Sequence, residues 1–374
     1  MKRPIAIDIF CGVGGMSLGF EQAGFHVAAA YDSDQLNVLY HHTNFPQTLT
    51  VAQDVRVLTA AFVLRSTGIR EGGLDVLFGG PPCQGFSEIG LRRHGDDRNR
   101  LLLEFARLVR ELKPRYFVVE NVRGLLFPHA KPTLEMFLRR VRRCGYKVVT
   151  PIRVLNAGNF GVPQLRRRAF LIGHLRDLPA PAYPEPITGE GTLDQCPTVG
   201  DAIGDLPNVG KFSQLLEHDV FTGQLGETRE YCRRLRGETV DPADFSRPRQ
   251  RATGISGCLR TVHTQQTVAR FASTLPGTYE PSSRCYRLKW DAPALTLRAG
   301  TGPAFGSFTA ARPIHPTQPR CITTREAARL HSFPDWFEFH PTKWHGFQQI
   351  GNSVPPLLAR AVAKSVLAAI SQCS

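Results

Sequence analysis

"IAIDIFCGVGG", residues 5–15, runs from a short apolar stretch directly into Gly12, Gly14 and Gly15. An apolar run of this length bounded by glycine reads as a buried strand. Glycines placed between such a strand and a following helical pattern let the chain turn tightly and let a ligand approach the backbone closely. The turn does not select its ligand. A nicotinamide enzyme would seat a pyrophosphate there, although the third glycine of that pattern is Ser17 in this chain.

Further along, apolar runs at residues 27–31, 74–78, 116–119 and 170–173 read as strands, and residues 100–112 and 133–144 carry helical patterns. Strands alternating with helices predict an α/β fold, an open and mostly parallel sheet with helices on both faces. Asp32 ends the second strand 20 residues after Gly12, where a carboxylate in such folds meets ribose hydroxyls. Asp54, at the end of a third strand, is placed to meet an adenine amino group. The plainer alternative, acidic residues that only cap helices, stays open at this point.

From residue 178 to 322 the texture changes to Pro, Gly, Thr and Arg with weak periodicity, as in "PAPAYPEPITGEG". The expected organisation is therefore three-part: 1–177, an inserted loop-rich unit at 178–322, and a return at 323–374. Helical pattern resumes at "TTREAARL", with Thr324 as a candidate cap, and again in "LLARAVAKSVLAAI".

With 374 residues, 42% of them hydrophobic and 21% charged, the composition is that of a soluble globular chain with a full core. No window of about 18 apolar residues is expected to cross a membrane, and no secretory leader is read at the start, so the expected location is cytoplasmic. The 46 basic residues exceed the 32 acidic ones by 14, and 38 of the 46 are arginine, the residue suited to phosphate and base-edge contacts. Clusters at Arg92–Arg93, Arg139–Arg140, Arg142–Arg143, residues 166–168 and Arg233–Arg234 mostly suit solvated faces, but the summed excess favours a polyanionic partner. Nine scattered cysteines show no ligand spacing, so neither a metal nor a disulfide framework is expected.

One cysteine stands apart. In "FGGPPCQGFSEIG", residues 78–90, Cys83 follows the fourth strand at the sheet end where open α/β folds keep their ligands. Pro81 and Pro82 stiffen the approach, while Gly79, Gly80 and Gly85 permit a flat partner to come close. An inert core thiol gains nothing from such framing.

This set resembles the cytosine-5 DNA methyltransferases of prokaryotic restriction-modification systems. The likeness continues in order through "DIFCGVGGMSLGF", "GGPPCQGFS", "DDRNRLLLEFARLV", "ENVRGLL", "GVPQLRRRAFLIG", "REAARLHSFPD" and "QIGNSVPP". It implies a Rossmann-like fold dependent on S-adenosylmethionine, with a small target recognition domain at 178–322 containing the pair Thr296–Leu297. Cys83 is then the nucleophile that adds to cytosine C6, and Glu120 the carboxyl group at N3. Arg166 and Arg168 hold the base and a nearby phosphate. Phe10, Gly12, Gly14, Gly15, Asp32, Ser33, Asp54, Pro82, Leu101, Asn352 and Ser353 surround the cofactor. The implied partner is double-stranded DNA, alongside a cognate restriction endonuclease acting on the same site, with the chain itself a monomer.

The chain departs from the usual pattern at Asp32, Ser33, Leu165 and His331, where Glu, a larger apolar residue, a basic residue and Gln respectively are frequent. Two other readings remain. An RNA-directed member of the family commonly has Pro-Phe-Thr after Cys-Gln, where this chain has residues 85–87 as Gly-Phe-Ser. A non-catalytic nucleic-acid-binding module would have no need to retain Cys83, Glu120, Arg166 and Arg168.

Overall fold

A computed structural model describes residues 3–82, 100–189, 191–192, 194–227, 229–239, 241–246, 254–300 and 312–373. Its centre is β1 (Ile5–Ile9), flanked in parallel by β2 (His26–Asp32) and β4 (Val76–Gly79); β3 (Leu49–Ala52) extends the sheet beyond β2, and β5 (Tyr116–Val122) beyond β4. On the far side of β5 the direction reverses. There β9 (Arg167–Leu175) pairs antiparallel with β5 and is itself bordered by β6 (Tyr146–Val148) and β7 (Arg153–Asn156). The strand order is β3-β2-β1-β4-β5-β9-β6, with β7 alongside β9. Residues 170–173 thus form the predicted strand, but run against the parallel set.

Strands buried on both faces need continuous apolar sequence, which "VLFG" in β4 supplies with all four residues buried. One face is covered by α1 (Gly15–Gln22) and α11 (Pro356–Ser371), where Phe20 stacks on Phe78 and packs with Leu358, Ala359 and Val362. The other carries α3 (Ala60–Thr67), α4 (Arg100–Leu112) and α5 (Lys131–Arg143), whose Val63, Phe105, Val109 and Phe137 pack with Leu77 and Phe117. In α4 the buried residues Leu102, Phe105, Ala106, Val109 and Leu112 recur at the spacing of one helical face. The helix predicted at 133–144 begins two residues earlier, with Pro132 in its first turn. Residues 343–371 are long and apolar enough to resemble a membrane span by length and composition, but two thirds of their most apolar window is buried within the protein, as in the core helix of a globular chain. Its apolar side chains serve the core against α1.

Residues 178–322 carry α6 (Val199–Ile203), α7 (Glu230–Leu235), α8 (Gln265–Ser273) and β10 (Ala294–Leu295) within long irregular stretches. The short strand β8 (Gln164–Leu165) pairs in parallel with β10. Beside these lie α2 (Gln35–Asn44), α9 (Thr324–Leu330) and α10 (Lys343–Asn352), joined by a third apolar cluster around Phe333, Phe337 and Ile350. Thr323, not Thr324, caps α9: its hydroxyl accepts from the Glu326 amide, while Glu326 accepts from the Thr323 amide. Glu326 is also gripped by both terminal nitrogens of Arg320 at 2.8 and 2.7 Å. Arg329, fully buried, pairs with Asp205 and Asp335. These paired charges fasten residues 178–322 to α9.

Candidate active site

The carboxyl ends of β1, β2, β4 and β5 open onto a cleft of about 380 Å³, completed by the end of α10. Phe10, Gly12, Gly15, Asp32, Ser33, Pro82, Glu120, Arg166, Arg168, Asn352 and Ser353 all line it. An adjoining recess of about 140 Å³ is lined by Phe10, Asp32, Ser33, Asp54, Pro82 and Leu101. Residues separated by more than 340 positions in sequence therefore share one concavity, as the last helix folds back onto the first. Cys83, and the residues 84–99 that follow it, lie outside the described residues.

The turn after β1 is held from below by the second strand. Asp32 Oδ2 accepts the Gly12 amide at 2.9 Å and Oδ1 accepts the Asp34 amide at 2.9 Å, which gives the 20-residue spacing a structural cause. Burial raises the Asp32 pKa, and these two amides only partly offset it. Phe10 has φ of 66°, a left-handed conformation that a bulky residue adopts only where its surroundings enforce it. Gly14 takes φ of 102°, and a Cβ there would stand 2.2 Å from Phe45 Cε2. Gly14 is thus required by the turn and by packing on α2, and it lines neither cavity.

Asp54 is already engaged. Its carboxylate receives the Arg56 amide at 2.9 Å and the Arg56 guanidinium through Nε and Nη2, and Arg56 holds its pKa below the usual carboxylate range. An adenine amino group at this recess would share that carboxylate with Arg56.

On the side of β5 the cleft is lined by Glu120. Arg168 Nε donates to its Oε1 at 2.8 Å, while Oε2 faces Gly80, where an added Cβ would stand 3.0 Å away. Burial raises the Glu120 pKa despite Arg168 and Arg166 nearby, and burial likewise lowers that of Arg168; desolvation outweighs the pair's attraction on both partners. Asn121 Nδ2 donates to the Pro81 carbonyl at 3.2 Å, fixing the two-proline approach to the next strand.

Arg166 lines the same cleft. It is only 1% exposed, and its terminal nitrogens donate to the carbonyls of Leu297, Gly351 and Ser353. Burial drives its pKa well down. Among the arginines of 178–322, Arg287 donates to the carbonyls of Phe271, Ala272, Thr274 and Pro316 around the end of α8.

Sequence reasoning passed over Asp8, Asn37 and Gln349, which also line the cleft. Asp8 is a lone acid inside an apolar strand, a signal that was available. It is buried and its pKa is raised well above the usual range by desolvation, and Oδ2 lies 2.6 Å from Ser17 Oγ, which in turn contacts His41 Nε2 at 3.0 Å. Burial depresses His41 to about 3.

Comparison with known proteins gives a consistent result. The family model of the C-5 cytosine-specific DNA methylases matches residues 5–368. Type II methyltransferase M.XorII of Xanthomonas oryzae is 50% identical over 371 residues, 99% of this chain and 86% of that protein. Type II methyltransferase M1.HphI of Haemophilus parahaemolyticus is 36% identical over 368 residues, 96% of this chain and 86% of that protein. Among solved structures, a prophage-encoded E. coli protein provisionally assigned as a DNA modification methyltransferase superposes with a TM-score of 0.81 at 33% identity, covering 98% of this chain and 99% of the other.

Proposed function

The chain belongs to the C-5 cytosine-specific DNA methylases, and from that premise we propose that it transfers a methyl group from S-adenosylmethionine to C5 of a cytosine flipped out of duplex DNA, through a covalent bond between Cys83 Sγ and C6. The observation that carries this reading is the meeting, in one cleft, of Glu120, Arg168, the Gly80–Pro82 approach to Cys83, and the Phe10–Asp32 turn. The cofactor supplies an electrophilic methyl on a sulfonium. Its fit is supported by the donor set: an aromatic ring at Phe10, carboxylates at Asp32 and Asp54, and the Asn352–Ser353 edge.

Cytosine C5 is too weak a nucleophile until a thiolate adds to C6. A free thiol has a pKa of about 8.5, so the arginines near the cleft favour the reactive anion. As Cys83 adds, electron density moves toward N3; Glu120, whose pKa burial raises, donates a proton to N3 through Oε2. Arg168 fixes the opposite oxygen and sets the carboxyl plane. After methylation at C5, solvent water takes the C5 proton, the C5–C6 double bond re-forms as Cys83 leaves as its thiolate, and N3 returns its proton to Glu120. Attack on C6 comes perpendicular to the ring, which stacking blocks, so the base is extruded at a cost of a few kcal/mol.

Incubation with methyl-labelled cofactor should place label in duplex DNA and not in tRNA. Label confined to tRNA, or absent from both, would overturn the reading. Bisulfite sequencing of the labelled DNA would then give the target site.

Residues 178–322 read the flanking bases in this account. Their arginines suit guanine edges, each bidentate contact being worth about 1–3 kcal/mol of discrimination. Grafting 178–322 onto a related catalytic half of known target should transfer this chain's recognition sequence. An active chimera that keeps its host's target would refute the assignment. A partner endonuclease of the same specificity completes the proposed restriction-modification role.

A further inference from the structure

Three distant parts of the chain meet at the cleft wall, which Arg166, Gly351 and Ser353 line. Arg166 Nη1 donates to Leu297 O at 3.0 Å, and Nη2 donates to Gly351 O at 2.7 Å and Ser353 O at 2.9 Å. Gln164, fully buried, accepts the Leu297 amide at Oε1 (3.0 Å), while its Nε2 lies 3.2 Å from Leu330 O and 3.0 Å from His331 Nδ1. His331 closes the ring, with Nε2 at 2.9 Å from Ser353 O. A carbonyl can only accept, so Nε2 carries the proton and Nδ1 accepts from Gln164. Burial and the neighbouring Arg166 push His331 well below its usual range, in keeping with that neutral form.

The same joint is reinforced on either side. The β8–β10 pairing sets Ala294 and Leu295 against Gln164 and Leu165, and Thr296 Oγ1 donates to Leu165 O at 2.7 Å. At Gly351 the backbones touch: a Cβ there would stand 2.4 Å from the Ala299 amide nitrogen.

We propose that Arg166, with Gln164 and His331, is a positioning interlock that fixes the 296–299 segment of the DNA-reading region to the 351–353 edge of the cofactor cleft. Both ligand sites therefore depend on it. This rests on the function proposed above and gives Arg166 a role distinct from direct contact with base or phosphate. Its planar fork spans carbonyls from two parts of the chain at once, which a lysine ammonium does not reproduce.

The test compares wild type with Arg166→Lys in two separate titrations: S-adenosylhomocysteine without DNA, and a duplex carrying the bisulfite-mapped site without cofactor. The interlock predicts that both affinities fall by about tenfold or more, since small displacements of a positioned group are costly. Loss of duplex affinity alone would indicate direct DNA contact and overturn the interlock, as would loss of S-adenosylhomocysteine affinity alone or no change. Should Arg166→Lys fail to fold, the His331 variants decide. Glutamine keeps one donor and one acceptor, so His331→Gln should bind both ligands like wild type, whereas His331→Leu should weaken both; a leucine variant equal to wild type refutes the proposal. Failure of the wild-type protein itself to bind S-adenosylhomocysteine would instead overturn the underlying function.

Discussion

Cys83→Ala is expected to abolish methyl transfer, by on the order of 10⁴-fold or more as for removal of other enzymic nucleophiles, while S-adenosylhomocysteine binds nearly as tightly as to wild type. The two effects separate because the thiol acts on C6 of the base, whereas the groups assigned to the cofactor, Phe10, Asp32, Asn352 and Ser353, lie at or just after the ends of β1, β2 and α10. Pro81 and Pro82 remain in the variant, and Asn121 still holds the Pro81 carbonyl, so the approach to residue 83 is kept. Turnover and calorimetric affinity measured on the same preparation check this. Residual turnover within tenfold of wild type would remove Cys83 from the mechanism.

Glu120→Gln should lower turnover by about 10²- to 10⁴-fold, the usual contribution of a positioned general acid. Glutamine can still offer an N–H to N3 but has no proton to transfer, so the variant isolates transfer from hydrogen bonding. Stability should move the other way. Because burial raises the Glu120 pKa in the fold, its contribution to stability is complete below the ordinary carboxylate range and is lost as pH rises through the raised value. Glutamine carries no such dependence, so the melting temperature of the variant relative to wild type should increase with pH across that interval. A relative melting temperature that falls instead would mean that attraction to Arg168 outweighs burial.

Much of this architecture was legible in the residues. The strands at 5–10, 74–78 and 116–119 read as apolar runs, the first two interrupted only by Asp8 and Asp75, and the Gly12–Asp32 spacing corresponds to an actual hydrogen bond. What escaped was what pattern does not encode. An apolar run has no direction, so the reversal of β9 was invisible. Two adjacent threonines cap equally well in sequence, and only the contact with Glu326 selects Thr323. Arg166 and Arg168 look equivalent two positions apart, yet one ends on carbonyls 131 to 187 residues away and the other on Glu120. Asp54 was read alone, while its guanidinium partner stood only two residues on.

The most direct test of the central claim is a duplex in which the target cytosine is replaced by 5-fluorocytosine. Addition of Cys83 to C6 and methylation at C5 proceed, but fluorine cannot leave as a proton does, so the enzyme remains bonded to the base. The prediction is an adduct of protein and DNA that survives SDS, forms only with S-adenosylmethionine present, and is absent from Cys83→Ala. A wild-type protein that methylates ordinary duplex yet forms no such adduct would contradict the covalent route.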